Sequence, residues 1–155
     1  MDQSLTKKQF IDGIRVERAR WEMLLLRVGP GRMCVPVVGV GQSVADLIGA
    51  LYKREKWLVE RLASLQATEP TVVSAQAREI DTNLVGVIEA SRYAFNEILR
   101  LLVPVREADL FAEGRLGWTQ GGTLAEVVAA CTSNYYLEHD GPIRSWLSQP
   151  VAQAV

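Results

Sequence analysis

The sequence has little of what most metal and disulfide sites require, with one histidine and two cysteines in 155 residues. A catalytic zinc site usually takes three protein ligands, and His139 can supply only one of them. The others would have to come from Cys131, Glu55 or Glu138. Cys34 and Cys131 are far apart and outside any C-x-x-C pair, which fits a reducing compartment better than a disulfide framework.

Strong charge and long apolar runs are also lacking. The 17 basic and 18 acidic side chains nearly cancel, which argues against nucleic acid or a membrane surface as the main partner. Charged residues interrupt every apolar stretch before the roughly 18 to 20 residues needed to cross a bilayer. Residues 1–8 are polar and lack the basic start and apolar stretch of a secretory signal. We therefore expect a soluble, cytoplasmic protein.

What the sequence does contain is helical periodicity, since four segments carry apolar side chains at the 3.6-residue period. These helices run from about 7 to 27, from about 44 to 66, up to Leu102, and onward from Leu124. Capping pairs precede three of them: Thr6 with Gln9, Ser43 with Asp46, and Thr123 with Glu126. Stretches rich in glycine separate helix 1 from helix 2 and helix 3 from helix 4.

The content of 48% hydrophobic residues is enough for one core. We predict an all-α four-helix bundle with long connections between helices 1–2 and 3–4. This single domain spans residues 1–150, and 151–155 form a C-terminal tail. Asn83 could cap helix 3 and leave 71–82 as a separate piece. Gly141-Pro142 is expected to kink or restart helix 4.

Glu55 is the most unusual polar residue, because it lies only about 40° from the centre of the apolar face of helix 2. A carboxylate there must be paired, ligated, hydrogen-bonded or neutral. His139 follows Tyr135 by one helical turn, and Cys131 precedes Tyr135 by one turn. A functional interpretation makes Glu55 and His139 an acid–base pair across the bundle. Each residue also has a structural alternative. Glu55 could reach water or an arginine, and His139 could be exposed or hydrogen-bonded within the core. Cys131 could simply fill space in the core.

The run from Gly114 to Thr123 places Trp118 among glycines, and this tryptophan needs a surface to pack against. Trp118 either closes the mouth of a pocket or plugs the end of the bundle.

Several segments together resemble the DinB/YfiT-like bundles, and most of all their ClbS/DfsB-type branch. The resemblance covers nearly the whole chain in order. Its most distinctive piece is Gly-Trp-Thr-x-Gly-Gly-Thr at 117–123, and its other pieces are 6–27, 43–48 leading to Glu55, 109–111 and 132–146. It implies a four-helix bundle, in agreement with the periodicity.

Many members of this family bind a divalent metal through one histidine in helix 2 and two histidines four apart in helix 4. The matching positions here are Ala50, Tyr135 and His139, so only His139 is retained. The resemblance therefore implies that no metal is held. The alternative is nickel or zinc bound through His139, a carboxylate and water, as in a metal-dependent thiol transferase-like enzyme with a degenerate site.

The named member of the ClbS-like branch hydrolyses a cyclopropane electrophile in a genotoxic metabolite. By resemblance, this chain is expected to bind or hydrolyse a small reactive metabolite in a metal-free pocket. Glu55 and His139 are the candidate catalytic residues, and the candidate substrate-binding residues are Ala50, Trp118, Tyr135 and Cys131. The competing hypothesis is a non-catalytic bundle with a dimerisation or regulatory role, which could form a homodimer. An exposed apolar helix face would favour this hypothesis.

Overall fold

The computed structural model describes residues 5–37, 40–66, 84–114 and 116–149, except for the side chains of Gln66 and Trp118. Within those ranges the chain forms six α-helices and one 3₁₀ turn, at Gly117–Thr119. The helices are α1 (Lys7–Val28), α2 (Val44–Gln66), α3 (Leu84–Leu102), α4 (Glu107–Phe111), α5 (Leu124–Cys131) and α6 (Ser133–Ser148). The described residues contain no strand, only an isolated bridge between Pro36 and Ser43. The all-α prediction is confirmed.

Helices α1, α2 and α5 begin where the capping residues predict. Thr6 Oγ1 accepts a hydrogen bond from the backbone N–H of Gln9, whose side chain accepts one from the N–H of Thr6. Ser43 and Asp46 exchange the same two bonds. Each bond satisfies an N–H that the first helical turn leaves without a partner. Helix α3 begins at Leu84; Asn83, the segment 71–82 and the tail 151–155 lie outside the described residues.

The core consists of two apolar clusters, one towards each end of the bundle. The first, called here the α5 cluster, includes Phe10, Ile14, Leu58, Leu62, Phe95, Ile98, Leu110, Leu124, Val128 and Cys131. The second, the α6 cluster, includes Trp21, Leu24, Val28, Val37, Val44, Leu47, Leu51, Tyr135, Tyr136 and Ile143.

The order of these residues along the chain gives the direction of each helix. Helix α1 runs from the α5 cluster to the α6 cluster, and α2 runs back. The first turns of α3 pack on the α6 cluster and its later turns belong to the α5 cluster, so α3 is parallel to α2. The consecutive helices α5 and α6 then follow the direction of α1, against which α6 packs. Together α5 and α6 take the place of the predicted helix 4.

The last helical segment is interrupted at Thr132 and not at Gly141-Pro142. The Oγ1 of Thr132 donates to the carbonyl of Val128 at 2.7 Å, and its backbone N–H bonds the carbonyl of Ala129 instead. The hydroxyl thus occupies the carbonyl that a helical N–H would use. Helix α6 continues through Pro142, which removes one helical donor. Ile143, just beyond it, is fully buried in the α6 cluster and stabilises this continuation.

The long connection predicted between helices 3 and 4 contains the short helix α4, which was not predicted. Leu110 of α4 is fully buried in the α5 cluster. None of the helices among the described residues is both long and apolar enough to cross a membrane.

Candidate functional site

A buried polar network lies between the two apolar clusters, and four helices contribute to it. It consists of Arg18 from α1, Glu55 from α2, Ser91 from α3 and Tyr136 from α6. Their exposed fractions are 5, 0, 2 and 2%. Along each of α1, α2 and α3, the network residue lies between a neighbour packed in the α5 cluster and one packed in the α6 cluster. These neighbours are Ile14 and Trp21 for Arg18, Leu58 and Leu51 for Glu55, and Phe95 and Ile88 for Ser91. The network therefore lies near the middle of the bundle.

Both carboxylate oxygens of Glu55 have partners within this network. Arg18 Nη1 donates to Glu55 Oε2 at 2.9 Å and to the hydroxyl of Tyr136 at 3.0 Å. Ser91 Oγ donates to Glu55 Oε1 at 2.5 Å and accepts from Arg18 Nη2 at 3.2 Å. Arg18 Nε donates to Glu22 Oε1 at 3.0 Å. These bonds offset much of the cost of burying two charges.

The environment of Glu55 favours its protonated form more than water does. Burial raises the pKa of Glu55 to about 7, and the nearby charge of Glu22 adds to the rise. The charge of Arg18 and the hydrogen bonds from Ser91 and Arg18 act against that rise. Burial lowers the pKa of Arg18, but Tyr136, Glu55 and Glu22 outweigh it and the net change is upward. Glu55 can therefore exchange a proton near neutral pH beside a permanent cation.

A second group of side chains lies where α2 faces α6, and it is called here the Tyr135 flank: Arg54, Tyr135 and His139. The hydroxyl of Tyr135 donates to the carbonyl of Leu47 at 2.6 Å, which fixes the ring. The ring centroid of His139 is 4.5 Å from that of Tyr135. The guanidinium carbon of Arg54 lies 5.1 Å from the Tyr135 ring centroid. Tyr135 is buried, His139 is half-buried and Arg54 is exposed, so the group reaches the surface.

Electrostatics links the Tyr135 flank to the buried network through Cys131 and Tyr135. Burial raises the pKa of Cys131 to about 11, with Arg54 lowering it and Glu55 raising it. Burial likewise raises the pKa of Tyr135 to about 12, and again Arg54 lowers the pKa and Glu55 raises it. Both side chains therefore lie within electrostatic range of Arg54 on one side and Glu55 on the other. Neither is ionised near neutral pH.

The structure brings together some of the residues selected from the sequence and separates others. Tyr135 and His139 are in contact, but no hydrogen bond among the described residues joins His139 to Glu55. Glu55 is inside the bundle, with Arg18 and Ser91 as its partners. Ala50 is exposed, one turn before Arg54 on α2. The backbone of Trp118 forms part of the 3₁₀ turn, and its side chain lies outside the described residues.

Arg18, Ser91, Tyr136 and Arg54 were not predicted as site residues. A signal existed for two of them, because Arg18 and Ser91 occupy positions of the apolar stripe on their helices. The spacings Ile14-Arg18-Trp21 and Ile88-Ser91-Phe95 place a polar residue among buried ones. No comparable signal marks Tyr136 or Arg54.

The residues at the metal-ligand positions expected from the resemblance to DinB/YfiT-like bundles do not fit a metal ion. Ala50 has no ligand atom, and the hydroxyl of Tyr135 is bonded to a carbonyl with its pKa raised by burial. Only His139 could bind an ion there. Across the part of the chain that is described, no group of three or more His, Cys, Asp and Glu side chains is placed to hold one.

No protein-family model matches the chain. No curated protein sequence matches it either. Among solved structures, the chain is similar to the crystal structure of an uncharacterised protein from Escherichia coli UTI89, with a TM-score of 0.72. The two are 18% identical, and the match covers 92% of this chain and 93% of that one. This likeness shows that the chain folds as an all-α helical bundle.

Proposed function

We propose that this chain is a DinB/YfiT-like protein of the ClbS/DfsB type that binds a small reactive metabolite and hydrolyses it without a metal. The observation that supports the proposal most is Glu55: it is fully buried, it is bonded to Arg18 and Ser91, and its pKa is raised to about 7. A carboxyl group that titrates near neutral pH can act as a general base there.

Stability alone is a weak reason for such a network. A buried ion pair is often no more stabilising than apolar side chains of similar volume, because desolvation offsets the attraction. The four helices could have continued the apolar core through this level, as they do on both sides of it. A proton-accepting function gives a reason for Glu55, Arg18 and Ser91 to be there.

In the proposed reaction, Glu55 accepts a proton from water while the water oxygen bonds to an electrophilic carbon of the substrate. The strained bond of the substrate breaks, and its electron pair passes to the other atom of that bond. This atom then takes the proton back from Glu55, so the sum is the addition of one water. Arg18 holds the carboxylate in place throughout.

Access to Glu55 requires side chains to move, since Cys131 and Tyr135 are only 6 and 3% exposed. These two residues lie on either side of the helix interruption at Thr132. We place the ligand on this side of the bundle, with Tyr135 and His139 in contact with it.

The test uses a spirocyclopropane conjugated to a carbonyl as the probe, followed by loss of its ultraviolet absorption and by the mass of the hydrated product. We expect turnover by the wild type and by the control Glu60→Gln on the same helix. Glu55→Gln should be slower by about 10² or more, as expected for loss of a general base. His139→Ala should weaken binding. Circular dichroism checks that each variant is folded.

Two results would overturn the proposal. The first is a wild-type rate equal to that of buffer with this class of electrophile. The second is a folded Glu55→Gln variant as active as the wild type.

A second candidate, the non-catalytic dimerisation bundle, is favoured by one observation. Val16, Met23 and Leu26 of α1 are 58, 62 and 71% exposed, and their spacing places them on one helix face. If a second copy of the chain covers this face, Met23→Glu should convert a dimer to a monomer in analytical ultracentrifugation, while Lys53→Glu at an exposed position of α2 should not. A monomeric wild type would exclude this candidate.

A further inference from the structure

The Tyr135 flank contains a cation, the guanidinium of Arg54, that lies over an aromatic ring. Across the described residues, Arg54 forms no ion pair with a carboxylate, whereas Arg18, Arg92 and Arg144 each do. Its guanidinium lies over the ring of Tyr135 at a distance typical of a cation–π contact. An exposed guanidinium can donate two parallel hydrogen bonds to an oxyanion.

The support beneath Arg54 is rigid. The hydroxyl of Tyr135 is bonded to the carbonyl of Leu47, and its ring meets the ring of Trp21 edge-on at 6.2 Å. Tyr135 is 3% exposed and packs within the α6 cluster. A flexible arginine side chain loses conformational entropy on binding a ligand, and the contact with a fixed ring reduces that loss.

His139 adds a second donor beside the ring of Tyr135, within electrostatic range of Arg54. Its centroid is 4.5 Å from that of Tyr135, at an interplanar angle of 59°. The charge of Arg54 acts on the imidazole, as does Glu138 on its own helix. Burial lowers the pKa of His139, with Glu138 raising it and Arg54 lowering it further, so the imidazole is neutral near pH 7. An anion bound between the two would favour the protonated imidazole.

We infer that Arg54 and His139, held by the ring of Tyr135, form a binding site for the carboxylate or phosphate group of a small molecule. The guanidinium donates to two oxygens of the anion, and the imidazole donates to it through a ring N–H. This inference rests on the proposed small-molecule site, because it assigns the chemical class of that ligand. It predicts an anionic metabolite, anchored at the surface near Cys131 and Glu55.

Because His139 is the only histidine, its Hε1 proton gives the one Cε1–H signal from histidine that an NMR titration follows. The probes are inorganic phosphate and acetate, added separately at constant ionic strength maintained with sodium chloride. We expect at least one probe to shift the signal saturably and to raise the pKa of His139. Phosphate alone would assign a phosphorylated ligand, and acetate alone would assign a carboxylate.

The decisive variant is Arg54→Gln, which removes the charge from an exposed position. It should raise the dissociation constant of the anion by about tenfold or more, the loss of affinity expected for a charge-assisted pair of hydrogen bonds. The matched control is Arg61→Gln, since Arg61 is also exposed on α2 and lies 5.6 Å from the centroid of the Trp57 ring. This control should bind as the wild type does.

The inference is overturned if neither probe gives a saturable shift, or if Arg54→Gln binds as tightly as Arg61→Gln. The titration measures binding and not turnover. Failure to bind anions with turnover intact would therefore reject the anion site alone, and binding without turnover would reject only the hydrolytic reaction.

Discussion

The guanidinium of Arg18 and the carboxylate of Glu55 meet at 2.9 Å inside the bundle, with side chains that are 6 and 0% exposed. Neither charge has free access to water, so each depends on the other and on the hydrogen bonds of Ser91 and Tyr136. Removing one member of such a pair costs more stability than replacing both members by apolar side chains, because the remaining group is then buried without its partner.

The first prediction concerns the pH dependence that Glu55 confers. Burial raises its pKa from 4.5 to about 7 in the folded state. The folded protein therefore binds the proton more tightly than the unfolded chain does. The contribution of Glu55 is fully present below about pH 4.5 and is lost as the pH rises to about 7, with a loss of at most ~3 kcal/mol.

Urea denaturation of the wild type and of Glu55→Gln at about pH 5 and about pH 8 measures this contribution. The free energy of unfolding of the wild type minus that of Glu55→Gln should be lower at the higher pH. Glu60→Gln, on the same helix, controls for the general effect of removing a carboxylate. A difference that is the same at both pH values, or that rises with pH, would contradict the raised pKa.

The second prediction concerns the coupling between Arg18 and Glu55. Arg18→Met should cost about 3–5 kcal/mol near pH 8, because Glu55 is then buried without its cation and must stay charged or take up a proton. Glu55→Leu should cost less, since the guanidinium of Arg18 keeps its ion pair with Glu22. The double variant should be much more stable than the sum of the two costs implies. Costs that simply add would mean that the two charges are solvated independently.

The sequence was sufficient to predict the fold, because capping pairs and apolar periodicity are local properties. Thr6, Ser43 and Thr123 gave the starts of three helices correctly. The inward position of Glu55 was predicted for the same reason. Its partner was not, because the contact with Arg18 joins residues 37 positions apart, and only the packing of α1 against the rest of the bundle determines which polar residues meet.

The helix interruption could not be predicted because the local signals conflict. Gly141-Pro142 is the stronger breaker by intrinsic propensity, yet α6 continues through it with Ile143 buried beyond. Thr132 carries no breaker signal in the sequence. Its hydroxyl bonds the carbonyl of Val128 where the helix is interrupted, and both residues are fully buried.

The third prediction contrasts the two cysteines. Cys34 is exposed and Cys131 is buried, and burial raises the pKa of Cys131 to about 11. At about pH 8 roughly one in a thousand Cys131 side chains is then a thiolate, the form that attacks disulfide reagents. In the native Cys131→Ser variant the remaining thiol is the exposed Cys34, and Ellman's reagent should label it rapidly.

The Cys34→Ser variant leaves Cys131 as the only thiol, and its native state should react at least about a hundredfold more slowly than the same variant in denaturant. Rapid labelling of native Cys34→Ser would show that the α5–α6 side opens freely, and it would place Cys131 among the reactive groups of the site.

The fourth prediction concerns Thr132, which separates α5 from α6. Thr132→Val keeps the shape of the side chain but removes the donor to the Val128 carbonyl, at a position that is 0% exposed. If the interruption is retained, that carbonyl loses its partner and the free energy of unfolding falls by about 1–3 kcal/mol. Thr132→Ser keeps the hydroxyl and loses one methyl group, which should cost only about 1 kcal/mol.

Urea denaturation of both variants decides between two accounts of the interruption. If the hydroxyl of Thr132 imposes it against the preference of the backbone, Thr132→Val frees the carbonyl of Val128 for a helical N–H, and the variant is as stable as the wild type or more so. If packing of Cys131 and Tyr136 on their separate clusters imposes it, the variant loses stability as predicted. We expect the second result, because these two side chains belong to opposite clusters and a continuous helix would turn one of them away from its own.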